Sequence, residues 1–121
     1  MSDYVYLYMY RLTEDKVEDF LKICSGTRRK YEQYGGKAEE VYRCTTGPKD
    51  YGVQWLPQLA NLREDEQLWI GIVKFRSEQH ARDVMEKFDK DEEVNRLYNE
   101  FISTVTPLEN VSFAEFMKQD Y

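Results

Sequence analysis

Residues 4–10 read Tyr4-Val5-Tyr6-Leu7-Tyr8-Met9-Tyr10, so four tyrosines alternate with three apolar side chains. Strict alternation predicts a β-strand with the tyrosines on one face and the other three residues on the opposite face. A strand with one face in water alternates apolar with polar residues, but neither face of this strand is simply polar. We therefore expect both faces to be covered. Helices of the same chain are expected over the Val5 side, and a second subunit, a ligand, or both over the amphipathic tyrosine side.

The bulk properties of the chain limit its partners. A length of 121 residues fits one domain, residues 1–121,. The net charge is −6 and the 17 basic residues are scattered, apart from the short run Arg28-Arg29-Lys30. Nucleic acids and anionic membranes require a concentrated positive field, so neither is an expected partner. No segment approaches the roughly 20 apolar residues of a membrane span, and no signal-peptide pattern is present, so a cytoplasmic protein is expected.

The first half of the chain predicts one helix and one short strand. Thr13 is the expected N-cap of a helix over residues 14–34, which Gly35-Gly36 ends,. Residues 38–45 predict a second strand. The connector 46–65 carries several apolar side chains, so we expect a packed loop with a short helical turn at 58–61.

The second half carries the clearest strand of the sequence. Residues 68–75 are almost continuously apolar, as in a strand buried on both faces,. Ser77 and Asp91 are the expected N-caps of two successive helices. Pro107 closes the helical region, and residues 110–117 predict a last strand.

The resulting order β-α-β-β-α-α-β matches the split βαβ, ferredoxin-like class of α+β folds. Such a fold has a four-stranded antiparallel sheet with its helices on one face. With the tyrosines placed on the open face, we expect a homodimer in which two sheets meet and enclose a small dimeric α/β barrel.

Several short stretches also resemble one protein family. They are Tyr4-Val5, Tyr34-Gly35, Cys44, Gly52-Val53, Leu56-Pro57-Gln58, Asp65-Glu66 and Arg82-Asp83. Over nearly its full length the chain resembles a prokaryotic family of dimeric α/β-barrel proteins, domain of unknown function fourteen-twenty-eight, in the ferredoxin-like superfamily. The resemblance implies the fold and leaves the function open. The chain has Tyr6 and Arg43 where the family carries acidic residues, so a site built on those carboxylates is not expected.

A ligand site is predicted on the sheet. Its expected members are Tyr6, Tyr8, Tyr10, Ile70, Ile72 and Lys74. The phenols, about 7 Å apart along the strand, would either line a cleft for a planar or aromatic ligand or pack across the dimer interface. Lys74 would either bind an anionic group at the mouth of the barrel or extend to solvent.

Catalytic machinery is sparse. His80 is the sole histidine and a weak candidate for proton transfer beside Lys74, although a surface role is favoured,. Arg28 would either bind a carboxylate or pack its stem along the core. Cys24 and Cys44 lack CxxC spacing and are expected to be small buried hydrophobic residues, and no metal or other cofactor is expected.

Two functions remain. The favoured hypothesis is a module whose dimer barrel binds a small hydrophobic or aromatic molecule without transforming it. The alternative is a metal-independent enzyme that oxidises, isomerises or decarboxylates a ring compound in the same pocket. Because one scaffold hosts many chemistries, the fold does not choose between them.

Overall fold

Two long strands form the centre of the sheet. In this computed structural model, which describes residues 3–37, 39–48 and 50–121, β1 (Tyr4–Thr13) pairs antiparallel with β3 (Glu66–Phe75) over the full length of both strands. The sheet is completed by β2 (Glu40–Arg43) beside β3 and by β4 (Val111–Met117) beside β1. The order β2-β3-β1-β4, with every pairing antiparallel, confirms the predicted ferredoxin-like α+β fold,.

Three helices pack on the sheet. They are α1 (Val17–Gln33), α3 (Glu78–Lys90) and α4 (Glu92–Thr104), and a single turn, α2 (Leu56–Leu59), lies in the long connector. Both predicted caps of the later helices are confirmed, since Ser77 Oγ accepts from His80 N at 3.1 Å and Asp91 Oδ1 from Val94 N at 3.0 Å,. Asp91 also binds Lys30 Nζ at 3.0 Å and accepts from the Tyr34 hydroxyl, which ties α1 to the start of α4.

The tyrosine face of β1 is the face that the helices cover. Tyr4, Tyr6 and Tyr10 are at most 8 % exposed and belong to the two core clusters, together with side chains of α1, α3 and α4. Tyr10 packs edge-on against Phe20 of α1, with ring centroids 4.9 Å apart. The prediction that helices cover the Val5 side was therefore wrong. Alternation in the sequence defines the two faces of the strand. Which face the helices cover is decided by the aromatic side chains of the helices, which pack against the tyrosine rings.

The opposite face of the sheet is aliphatic, and none of the helices α1, α3 and α4 packs on it. Register places Val5 beside Lys74, Leu7 beside Ile72, and Met9 beside Ile70. All of these except exposed Lys74 are half-buried. We call this surface the open face.

The long connector folds over one end of the open face. Arg11 Nη1 donates to the carbonyl oxygen of Asn61 at 2.8 Å and lies 3.5 Å from Glu66 Oε1. Pro57 is buried, and Leu68 at this end of β3 is only 2 % exposed. The prediction of a packed loop holds for Pro57 and the segment next to β3, but it was wrong for Val53, Leu56 and Leu59, which are exposed, and the helical turn lies at 56–59 rather than 58–61.

Other boundaries differ from the predicted ones. A 3-10 turn, Glu14–Lys16, precedes α1, and the Thr13 hydroxyl donates to the Asp15 carboxylate instead of capping a backbone N–H. The second strand has four residues, and Ala38 of its predicted range lies outside the described residues. Within the described residues, no helix has the length and hydropathy to cross a bilayer.

Close packing of α1 against α4 depends on Gly26. A Cβ atom at this buried position would lie 2.8 Å from Leu97 Cδ1. We expect Gly26→Val to lower the free energy of unfolding by about 1–3 kcal/mol, because overpacking forces the helices apart. Urea denaturation measures the change. Ser25→Val, which introduces the same side chain at the exposed neighbouring position, should change stability by less than about 0.5 kcal/mol,. An equal loss in the two variants would contradict this packing.

Candidate functional site

A cavity of about 430 Å³ lies between the sheet and its helices. Its sheet side is formed by Tyr8, Tyr10 and Val111. From the helices come Phe20, Ile23, Cys24, Thr27, Tyr31, Phe88, Val94, Leu97 and Phe101. The exposed lining residues Asp89, Asn95, Tyr98 and Leu108 mark its rim. This size and its apolar wall are typical of small-molecule sites.

Aromatic contacts fix the wall of the cavity. The rings of Tyr8 and Tyr10 stack with centroids 6.0 Å apart, as expected for neighbours on one face of a strand,. Tyr31 of α1 stacks on Phe88 of α3 at 4.1 Å. Phe113 of β4, which does not line the cavity, packs on the Tyr8 ring with centroids 4.8 Å apart. Each phenol is held by rings around it, so its hydroxyl has a defined position.

One carboxyl group lines the buried part of the cavity. Glu39 precedes β2 and is 6 % exposed. Its Oε1 accepts a hydrogen bond of 2.6 Å from Thr27 Oγ1 of α1. A Cβ atom on Gly71 would lie 3.4 Å from Glu39 Oε2 and 3.3 Å from the Tyr10 ring, so this glycine leaves the room that both side chains occupy. The sheet, α1 and the segment before β2 together position the carboxyl group.

Burial alters the acidity of this group of side chains. It raises the pKa of Glu39 to about 7, against the smaller, opposing effect of the Thr27 hydrogen bond,. It also raises the pKa of Tyr8 to about 12 and holds those of Tyr10 and Tyr31 well above the usual value, and the Glu39 charge adds to each. The phenols are therefore neutral hydrogen-bonding groups, whereas Glu39 changes charge near neutral pH.

The predicted ligand site is divided between the two faces of the sheet. Tyr8 and Tyr10 line the cavity, and Tyr6 packs beside it against Phe75 and Phe113. Lys74, Ile70 and Ile72 lie on the open face instead. Because neighbours on one strand point to opposite faces, no pocket on one side of the sheet collects all six residues.

The weak catalytic candidates lie outside the cavity. His80 sits in the first turn of α3, where its Nδ1 accepts from Arg76 N at 3.0 Å, and burial followed by the Arg76 charge lowers its pKa. Arg28 is exposed and pairs with Glu32 at 3.3 Å. Both cysteines are free thiols, but Cys44 is exposed, so its predicted burial was wrong.

Glu39 was not predicted from the sequence as a site residue. The residue falls inside the predicted second strand and looks like one of many acidic side chains in a chain of net charge −6. Strand alternation gives the one available signal, since Glu39 and the apolar Val41 lie two residues apart and therefore on the same face of the predicted strand 38–45,. Among the described residues, no cluster of three His, Cys, Asp or Glu side chains could hold a metal ion.

The fold and the cavity define an α+β protein of ferredoxin-like architecture with an intrachain pocket. No family model and no curated protein matches the sequence. The chain is similar in structure to a NIPSNAP family protein from Agrobacterium tumefaciens strain C58, with a TM-score of 0.58, 14 % identity, and coverage of 98 % of this chain and 88 % of that one. It also aligns with the de novo designed protein Foldit4, with a TM-score of 0.46, 12 % identity, and coverage of 98 % and 99 %. The first likeness supports the fold alone.

Burial of Glu39 makes the stability of the fold depend on pH. The folded state holds its proton more tightly than the unfolded state, so between pH 4.5 and about 7 the folded chain binds more protons and stability falls as pH rises,. Above this window the buried carboxylate is fully charged and lowers the free energy of unfolding most, on the order of 3 kcal/mol for a pKa shift of this size. We expect Glu39→Gln to be more stable than the wild type at pH 8 and nearly equal to it at pH 4.5.

Urea denaturation of both proteins across this pH range measures the difference. Glu40→Gln is the matched control, because Glu40 is exposed and adjacent in sequence. Wild-type and Glu39→Gln profiles that run parallel would show that Glu39 is not desolvated.

Proposed function

We propose that this protein binds a small apolar or aromatic molecule in the cavity between the sheet and its helices. The observation that carries the proposal is a mostly apolar cavity, open at its exposed rim, with a few polar groups in its wall, the arrangement by which proteins hold and orient small molecules,. Apolar side chains such as Phe20, Leu97 and Phe101 supply contact area. The hydroxyl groups of Tyr8 and Tyr10 and the carboxyl group of Glu39 orient the ligand through hydrogen bonds.

A neutral fluorescent probe tests this proposal. N-phenyl-1-naphthylamine, which brightens in apolar surroundings, should bind saturably with one site per chain. Val111→Phe adds a ring to the cavity wall and should weaken binding at least five-fold. Val53→Phe, at a position 66 % exposed in the connector, should leave binding unchanged.

Circular dichroism and melting curves establish that the two variants are folded. Unaltered binding by folded Val111→Phe would place the probe elsewhere and contradict the proposed site. Absence of saturable binding to the wild type would contradict the function.

Proton transfer is the second candidate function. A carboxyl group with a pKa near 7 in a site of low polarity can take up or release a proton near neutral pH, as general acid–base catalysis requires,. Among the reactions of the enzyme alternative, isomerisation and decarboxylation of a ring compound need proton transfer alone, whereas oxidation needs an electron acceptor. Glu39 would be its acid–base residue, in place of His80 or Lys74.

We also propose that the chain forms a homodimer through the open face. An aliphatic surface built by Val5, Leu7, Met9, Ile70 and Ile72 gains free energy when a second copy removes it from water,. This dimer differs from the predicted one, because aliphatic side chains and not phenols would meet at its interface. The assignment to domain of unknown function fourteen-twenty-eight and a cytoplasmic location stay predictions.

Light scattering tests the dimer. The wild type should have about twice the chain mass of 14.6 kDa. Leu7→Glu places a charge in the middle of the open face and should give the monomer mass, because burying an unpaired charge at an interface is costly. Leu21→Glu, on the exposed side of α1, should remain dimeric. A monomeric wild type would contradict the interface, as would equal dissociation by both variants.

A further inference from the structure

The charges around the cavity have one sign. Glu39 lies in its wall at 6 % exposure, and Asp89 stands at the rim, where burial raises the pKa of its carboxyl group. Among the described residues that line the cavity, none is a lysine, arginine or histidine. An anionic ligand would meet carboxylates with no compensating cation, so the cavity selects against anions.

The two oxygens of the Glu39 carboxyl group have different surroundings. Thr27 donates to Oε1, and among the described residues no hydrogen bond is formed to Oε2, which lies beside Gly71 and the Tyr10 ring. Because no fully buried polar side-chain atom of the described residues lacks a partner, Oε2 keeps some contact with solvent and is accessible to a ligand. Arg28 lines a separate open cavity that Glu39 also reaches, but its guanidinium pairs with Glu32 at the surface. A buried carboxylate without a cation is costly, and a ligand that brings a cation removes the cost.

The surrounding rings favour the same type of ligand. Tyr8, Tyr10 and Tyr31 line the cavity with Glu39, and each is neutral across the physiological pH range. Aromatic rings attract ammonium groups as well as apolar bodies, and the attraction grows when water is excluded. A carboxylate bordered by aromatic rings therefore suits an ammonium group attached to an apolar body.

From this combination we propose that the cavity binds a small apolar amine, whose ammonium group pairs with the Glu39 carboxylate. The inference rests on the proposed function and names the chemical class of its ligand. The ammonium donates to Oε2, and Thr27 keeps Oε1 in place. The apolar body of the amine lies against Phe20, Leu97 and Phe101.

Binding of an amine must then depend on the charge of Glu39. The titratable and charged groups that line the two cavities with this carboxyl group come from β1, α1, β2, α3 and α4; they are Tyr8, Tyr10, Cys24, Arg28, Tyr31, Glu40, Tyr42, Asp89 and Tyr98. The buried phenols and the Cys24 thiol have pKa values raised by burial and do not ionise near pH 7. Loss of amine affinity as pH falls through 7 therefore reports chiefly on Glu39.

Three indoles with one ring system and different charges test the inference. Calorimetric titration at pH 8.5 compares tryptamine, a cation, with tryptophol, a neutral alcohol, and indole-3-acetate, an anion. We expect tryptamine to bind at least ten-fold more tightly than tryptophol, and indole-3-acetate to bind most weakly. Tryptamine affinity should fall about ten-fold or more between pH 8.5 and 5.5, because an alkyl ammonium stays charged while Glu39 is protonated. Tryptophol affinity should stay constant.

Variants assign the effect to Glu39. Glu39→Gln should bring the affinities for tryptamine and tryptophol within two-fold of each other at pH 8.5 and should remove the pH dependence of tryptamine binding. Glu40→Gln, at the exposed neighbouring position, should keep the preference for tryptamine. Preference retained in Glu39→Gln, equal binding of tryptamine and tryptophol to the wild type, or no binding of tryptamine would each overturn the inference.

The two proposals fail separately. If N-phenyl-1-naphthylamine binds in the cavity but tryptamine shows no preference, the ligand is not an amine and the proposed function stands. If neither the naphthyl probe nor any indole binds, both proposals are wrong.

Discussion

The structure depends on one constraint, which is that β1 lies in the middle of the sheet with side chains of low polarity on both faces. Its two neighbours, β3 and β4, satisfy the backbone, so each face must be covered by side chains,. The helices take the tyrosine face. Because a tyrosine is apolar along its ring and polar at its tip, covering this face creates a core with hydroxyl groups inside it. The cavity arises where rings of β1, α1 and α4 do not close completely.

The same constraint explains the charge of the cavity. Glu39 enters the covered side of the sheet because β2 begins at the next residue and alternation turns neighbouring side chains to opposite faces,. Thr27 holds one oxygen, and Gly71 leaves space for the other. A carboxyl group thus lies in a site without a cationic lining residue among those that the structure describes. An ammonium group would neutralise this carboxylate, which is why the fold favours the proposed amine ligand.

Local signals in the sequence predicted the elements and their order. Ser77 and Asp91 cap helices because their side-chain oxygens bond to the backbone three residues later, which is a short-range effect visible in the sequence,. Residues 68–75 read as a buried strand for a similar reason. The choice of covered face is different, since tyrosines and aliphatic residues can both be buried. It is decided by distant partners such as Phe20, Tyr31 and Phe88, whose rings pack against phenols and against one another.

Part of the candidate site could be predicted from the sequence and part could not. Tyr8 and Tyr10 were predicted as ligand-binding residues from their pattern alone, and they line the cavity. Glu39 escaped notice because its burial depends on Thr27, twelve residues earlier, and on Gly71 in another strand. Nothing local distinguishes it from Glu40, which is exposed.

A direct measurement of the Glu39 carboxyl group tests whether a carboxyl is enclosed between the sheet and α1. Carbon-13 NMR of protein labelled at the glutamate carboxyl carbons follows each group through a pH titration, and Glu39→Gln identifies the resonance by its loss. We expect the Glu39 carboxyl resonance to titrate with a midpoint near pH 7. If every glutamate titrates below about pH 5, as solvent-exposed carboxyls do, then Glu39 is in contact with water and the enclosed site described above does not exist.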